Sequence, residues 1–170
     1  VTDSRRLILS LGWCALACID SSKIEADPEA LARELLDELS VTTLPVDVFA
    51  MAEAYGLDLV PLTSHVPGGA MLALHTIRYD SRFDARQCRE RIAHLIACWW
   101  LYQRDMQVDH MTAQRMGRAL LMPAWSINTA RPIRELAQRY DVHEFAVVRR
   151  LADLRARRDR LSDIDPRPSP

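Results

Sequence analysis

Residues 89–101 read Arg-Glu-Arg-Ile-Ala-His-Leu-Ile-Ala-Cys-Trp-Trp-Leu, RERIAHLIACWWL. Charged residues at the start give way to apolar ones at helical spacing. His94 and Cys98 stand four apart, so on a helix they lie one above the other on the same side. Imidazole and thiolate are both zinc ligands, at about 2.0–2.1 Å and 2.3 Å, and the pair is able to share a metal. Leu95, next to His94, has no proton-accepting atom. The residue types therefore offer metal chemistry without a base, or simply a core helix carrying a satisfied histidine and a small buried thiol.

Working outward, the periodicity predicts helices on both sides and strands between them. In ADPEALARELLDELS, Asp27 is the expected N-cap, Pro28 sits in the first turn, and Leu31, Leu35, Leu36 and Leu39 form one apolar stripe. LPVDVFAMAEAYG is a second helix, opened at Pro45 and closed by Gly56. LDLVPL alternates as a strand does, VPGGA is a turn, and MLALHTIRYD supplies one or two more strands. Helical spacing returns from Arg82 to Leu101 and again in MTAQRMGRALLMP, stopped by Pro123. RPIRELAQRYD and EFAVVRRLADLRAR read as two short helices joined at DVH. The order is α-α-β-β-(β)-α-α-α-α, with clustered strands, which is an α+β domain.

At 170 residues, 49% of them apolar, the chain is long enough for one well-filled core. A net charge of −1 excludes a general basic field for nucleic acid, although VVRRLADLRARRDR places six arginines in fourteen residues. Cys14, Cys18, Cys88 and Cys98 form no paired framework, which points to a reducing cytoplasm; Cys14 and Cys18 are expected as buried free thiols. RRLILSLGWCALACIDSS has the outline of a lipoprotein leader, but Asp3 and the position of the last Leu argue for an N-terminal helix instead. No apolar run approaches the ~20 residues of a membrane span.

Five pieces in this order resemble the ImmA/IrrE family of metallopeptidase domains. LPVDVFAMAEAYGLDLV is similar to its Pro-Val-Asp helix running into a strand, and GGAMLALHTIRYD to its Gly-turn and following strand. RERIAHLIAC falls on R-F-T-L-A-H-E-L-G-H, AQRMGRALLMP on A-N-x-F-A-A-x-L-L-M-P, and ELAQRYDVHEFAVVRRLADL on the closing helices. The resemblance spans about residues 30–155. It implies a single zincin-like α+β domain over residues 25–157, with helices packed on a small three-stranded sheet. An N-terminal helical extension over 1–24 precedes it and a loose tail over 158–170 follows. It also implies zinc held by two histidines and a downstream glutamate, water activated by the glutamate of H-E-x-x-H, and helix-turn-helix repressors as substrates.

Two departures matter. Leu95 replaces the catalytic glutamate and Cys98 the second histidine. Counting back from Ala113 puts His110 at the third ligand position, with Asp109 beside it. His94, Cys98 and His110 are thus the candidate metal ligands, and no catalytic residue is assigned. The expected function is a catalytically inactive peptidase-like protein that binds a partner, most simply a helix-turn-helix regulator. The alternatives are a zinc-dependent or redox-gated endopeptidase on the His-Cys-His set, and a DNA-binding regulator using Arg149 and Arg150 of the last helix. Glu90 is expected as a surface partner of Arg86 or Arg89. Trp99, Trp100 and Trp125 are expected in the core, His65 and His75 have no evident partner, and His143 is a weak helix cap.

Overall fold

The computed structural model describes residues 26–106 and 109–164, with side chains to 162. The expected helix at 7–17, the two N-terminal cysteines and residues 165–170 lie outside the described residues. Six helices and three strands follow in the order α1 (Pro28–Glu38), α2 (Val48–Ala54), β1 (Asp58–Leu62), β2 (Ala70–Ala73), β3 (Thr76–Asp80), α3 (Ala85–Gln103), α4 (His110–Leu121), α5 (Ile133–Tyr140) and α6 (Glu144–Ile164). This is the mixed α+β arrangement with a small three-stranded sheet. Among the described residues no helix is long and apolar enough to cross a membrane.

Local chemistry sets the helix starts. Asp27, Asp47, Asp84 and Asp109 each accept a hydrogen bond from a backbone N–H of the turn that follows, satisfying donors that a helix start leaves free. The second helix is capped at Asp47 rather than opened at Pro45, whose bond to Leu44 is cis. Gly56 follows it with φ of 64°, the left-handed conformation a glycine takes without strain. The strand order is β1-β3-β2, with β1 parallel and β2 antiparallel to β3. Both β1 and β2 are therefore edge strands.

The core lies between the sheet and the helices, and α3 runs through it with Ile92, Ile96 and Trp100 fully buried. Helix α4 crosses α3 closely. A Cβ on Gly117 would come within 2.8 Å of His94 Cα and 3.0 Å of its N, so only glycine allows this approach. Of the three tryptophans expected inside, Trp100 is in the core and Trp99 is half-buried against Tyr55. Trp125 is 55% exposed, contrary to expectation, because it falls on a short turn, Ala124–Ser126, after the helix-stopping Pro123.

Helix α6 is longer than expected: residues 158–164, assigned to the tail, continue it. Two of its arginines are internal ties. Arg150, 1% exposed, is paired with Glu29 of α1 (Nη2–Oε2 2.7 Å) and donates from Nε to Met122 O at 2.9 Å. Arg157 donates to both carboxylate oxygens of Asp27, and Asp153 accepts from Arg118 of α4. Arg150 is thus a packing residue, and its burial takes it out of the alternative reading in which it would touch DNA. The pair also yields a stability test: Glu29→Gln, which strands a buried guanidinium, should cost about 3–5 kcal/mol in urea unfolding. The double variant Glu29→Met/Arg150→Met should lose less than that single change.

Candidate functional site

The three residues singled out as ligands are brought together. His94 and Cys98 project from successive turns of α3, with Cys98 Sγ 3.4 Å from His94 Nε2. His110 opens α4, two turns before Gly117, and its ring stands edge-on to that of His94 with centroids 4.9 Å apart. The cluster follows directly from the close α3–α4 crossing. His65 and His75 are exposed elsewhere, His75 edge-on to Trp99 at 6.4 Å.

Whether the cluster suits zinc depends on the donor atoms. With bonds of about 2.0 and 2.3 Å and a tetrahedral angle, nitrogen and sulfur ligands stand about 3.5 Å apart. The 3.4 Å between His94 and Cys98 matches this. His110 does not complete the set as it stands, because its Nε2 lies 2.8 Å from Gln114 Nε2, an amide nitrogen one turn along α4. Among the described residues no group of three His, Cys, Asp or Glu side chains is arranged to hold a metal ion. Two ligands fit, and the third is engaged elsewhere. The His-x-x-x-Gln spacing that occupies it is visible in the sequence and was the missed signal.

The electrostatics point the same way. Burial, with His110, Arg118 and Arg91 around it, lowers the His94 pKa to about 4. No carboxylate is among these influences, so nothing nearby favours a charged imidazole. Leu95 is 6% exposed and belongs to the core cluster. Arg91 holds the neighbouring turn, donating from its guanidinium to Gly68 O and stacking over Phe83 at 4.4 Å. A Cβ on Gly69 would collide with that guanidinium.

Glu90 differs from expectation. Arg86 and Arg89 both reach Asp141 at the α5–α6 turn, at 3.0 and 2.7 Å, leaving Glu90 without either. Its carboxylate instead faces the backbone N–H of His143 at 3.5 Å, and burial pushes its pKa up. It serves the start of α6, where His143 lies 3.0 Å from both oxygens of Asp84. The remaining described thiol, Cys88, is buried against the carbonyls of Asp80 and Phe83, and burial raises its pKa.

The depressed His94 pKa predicts a pH dependence of known sign. Folding favours the neutral ring, so its contribution is complete above the unfolded pKa of about 6.5 and is lost as pH falls toward 4. The loss should approach about 3 kcal/mol. Glu90, with its raised pKa, works in the opposite direction. Urea unfolding of metal-free protein at pH 7.5 and pH 5, compared with His94→Gln, isolates the histidine: the variant should show the smaller loss. Compared with the sequence models of known families and with curated proteins, the chain matches none.

Proposed function

We propose that this chain is a degenerate peptidase-like domain of the ImmA/IrrE kind, zincin-like in fold, that acts by binding a protein partner rather than by hydrolysis. The partner class in keeping with the resemblance is a helix-turn-helix transcriptional regulator. The observation that carries the reading is Leu95: an apolar side chain, 6% exposed, at the position where the family places its base. Peptide hydrolysis at zinc needs a base beside the bound water, and losing one typically forfeits about 10²–10⁴ in rate. Glu90 offers no replacement, since its carboxylate faces the start of α6. An edge strand such as β2, beside α3, is suited to an extended partner chain. The buried Cys88 thiol suits a cytoplasmic setting.

One distance favours a second reading, a zinc-dependent or redox-gated hydrolase on His94, Cys98 and His110. The 3.4 Å between the first two is a zinc-ligand spacing, although His110 would have to release Gln114. If zinc were held there, these residues would fix it, and the metal would supply Lewis acidity. Of the two arginines the DNA-binding alternative calls on, Arg150 is committed to Glu29 of α1, while Arg149 is exposed and stacks over Phe145.

Two measurements separate the readings. Incubation with candidate regulators and zinc, followed by intact-mass analysis and calorimetry, should give a complex and no cleavage; one defined, zinc-dependent cut would refute the binding-only function. Protein purified without added metal should hold substoichiometric zinc. A stoichiometric ion lost in both His94→Ala and Cys98→Ala would instead favour the hydrolase.

A further inference from the structure

We propose that the groove between α2 and the outer edge of β1 docks a short basic, partly apolar peptide segment of a protein partner. The proposal takes its biological sense from the partner-binding reading, and it concerns a surface separate from the His94 cluster. The groove has a volume of about 540 Å³ and is open to solvent; Asp47, Glu53 and Asp58 supply its charge, and Phe49 and Leu59 its apolar surface. Phe49 is 42% exposed.

Charge selects the occupant. Many carboxylates elsewhere are neutralised by arginine, among them Asp27, Glu29, Glu38, Asp80, Asp141 and Asp153. Asp47, Glu53 and Asp58 form no ion pair with any described residue, and no cationic side chain lines the groove. Asp47 uses Oδ1 to cap α2, accepting from the N–H groups of Phe49 and Ala50, and also lines the groove. Three unmatched carboxylates around an exposed aromatic ring complement a segment in which Arg or Lys alternates with an apolar side chain.

Backbone geometry limits its length. Asp58 N–H donates to His75 O and Ser81 N–H to Leu62 O, so residues 58, 60 and 62 face β3 and residues 59 and 61 face outward. Leu59 offers an outward N–H and C=O. Pro61 has no N–H, so an added strand cannot pair past it. The edge therefore suits a few residues of extended chain rather than a long strand.

The probe is a fluorescein-labelled eight-residue peptide alternating arginine and leucine, with a glutamate–leucine peptide as control, followed by anisotropy and by backbone amide shifts. The full chain should bind the basic peptide, with shifts confined to residues 47–59. Binding should weaken about tenfold or more in Asp47→Asn/Glu53→Gln/Asp58→Asn, where Asn still caps α2, and in Ala50→Arg. It should also fall several-fold in Phe49→Ala, which bare charge attraction would not produce. Equal binding by the triple variant, equal binding of the acidic peptide, or shifts elsewhere overturns the proposal. A concentration-dependent mass that the triple substitution abolishes would place a second copy of this chain in the groove and also overturn it. A regulator held equally by wild type and triple variant rejects the groove but spares the partner-binding reading. Peptide binding lost in the variant supports the groove even if no candidate regulator binds.

Discussion

The close crossing of α3 and α4 at Gly117 is the constraint on which the rest of the structure depends. Without a Cβ at that point, the backbone of α4 comes against that of His94. The approach fixes the depth at which α3 sits in the core, with Ile92, Ile96 and Trp100 sealed. It also decides what meets on the other side of the contact. His110 lies two turns back from Gly117 on α4, and Cys98 one turn on from His94 along α3, so the crossing gathers a thiol and two imidazoles. Proximity among these three is a property of helix packing before it is a property of any chemistry.

Charge is organised around the same frame. Arginines on α3, α4 and α6 reach carboxylates on other elements: Arg89 to Asp141, Arg118 to Asp153, Arg150 to Glu29, Arg157 to Asp27. These ties hold the last long helix across the first and the fourth. Burial, with Arg118 and Arg91 adding to it, keeps the His94 imidazole neutral. A neutral nitrogen retains a lone pair for a metal or a hydrogen-bond donor. Among the described residues, Asp47, Glu53 and Asp58, along α2 and β1, form no ion pair.

Much of this was legible in the sequence because it is local. Asp27 and Gly56 act at their helix ends as read, and the switch from period 3.6 to period 2 located the sheet. The i,i+4 spacing of His94 and Cys98 placed them together, and counting back from Ala113 along the family pattern picked out His110, which opens α4 one residue before the expected start. Long-range facts were not readable. Nothing in a run of six arginines distinguishes Arg150, buried on Glu29, from Arg149, which stacks over Phe145 at 4.2 Å on the surface. Glu90 was assigned to nearby arginines because sequence distance favours them, whereas Asp141, some fifty residues away, claims both. The extension of α6 to Ile164 could have been foreseen, since RRDRLSDI contains neither glycine nor proline. Strand order is different: no local signal says that β3 pairs with both neighbours while β1 and β2 stay apart.

The packing around Leu95 has a consequence for any hydrolytic reading. The Leu95 side chain is in the core cluster. A glutamate introduced there would enter an apolar environment, where an isolated carboxylate takes up a proton in preference to ionising and is a poor base. Arg118 and Arg91, whose charges act on His94, are already engaged with Asp153 and Gly68 O. Recovering a base would therefore require local repacking as well as a changed side chain, whereas gripping a partner asks nothing of this position. The physical distinction between the readings lies in how deeply one apolar side chain is built into the core.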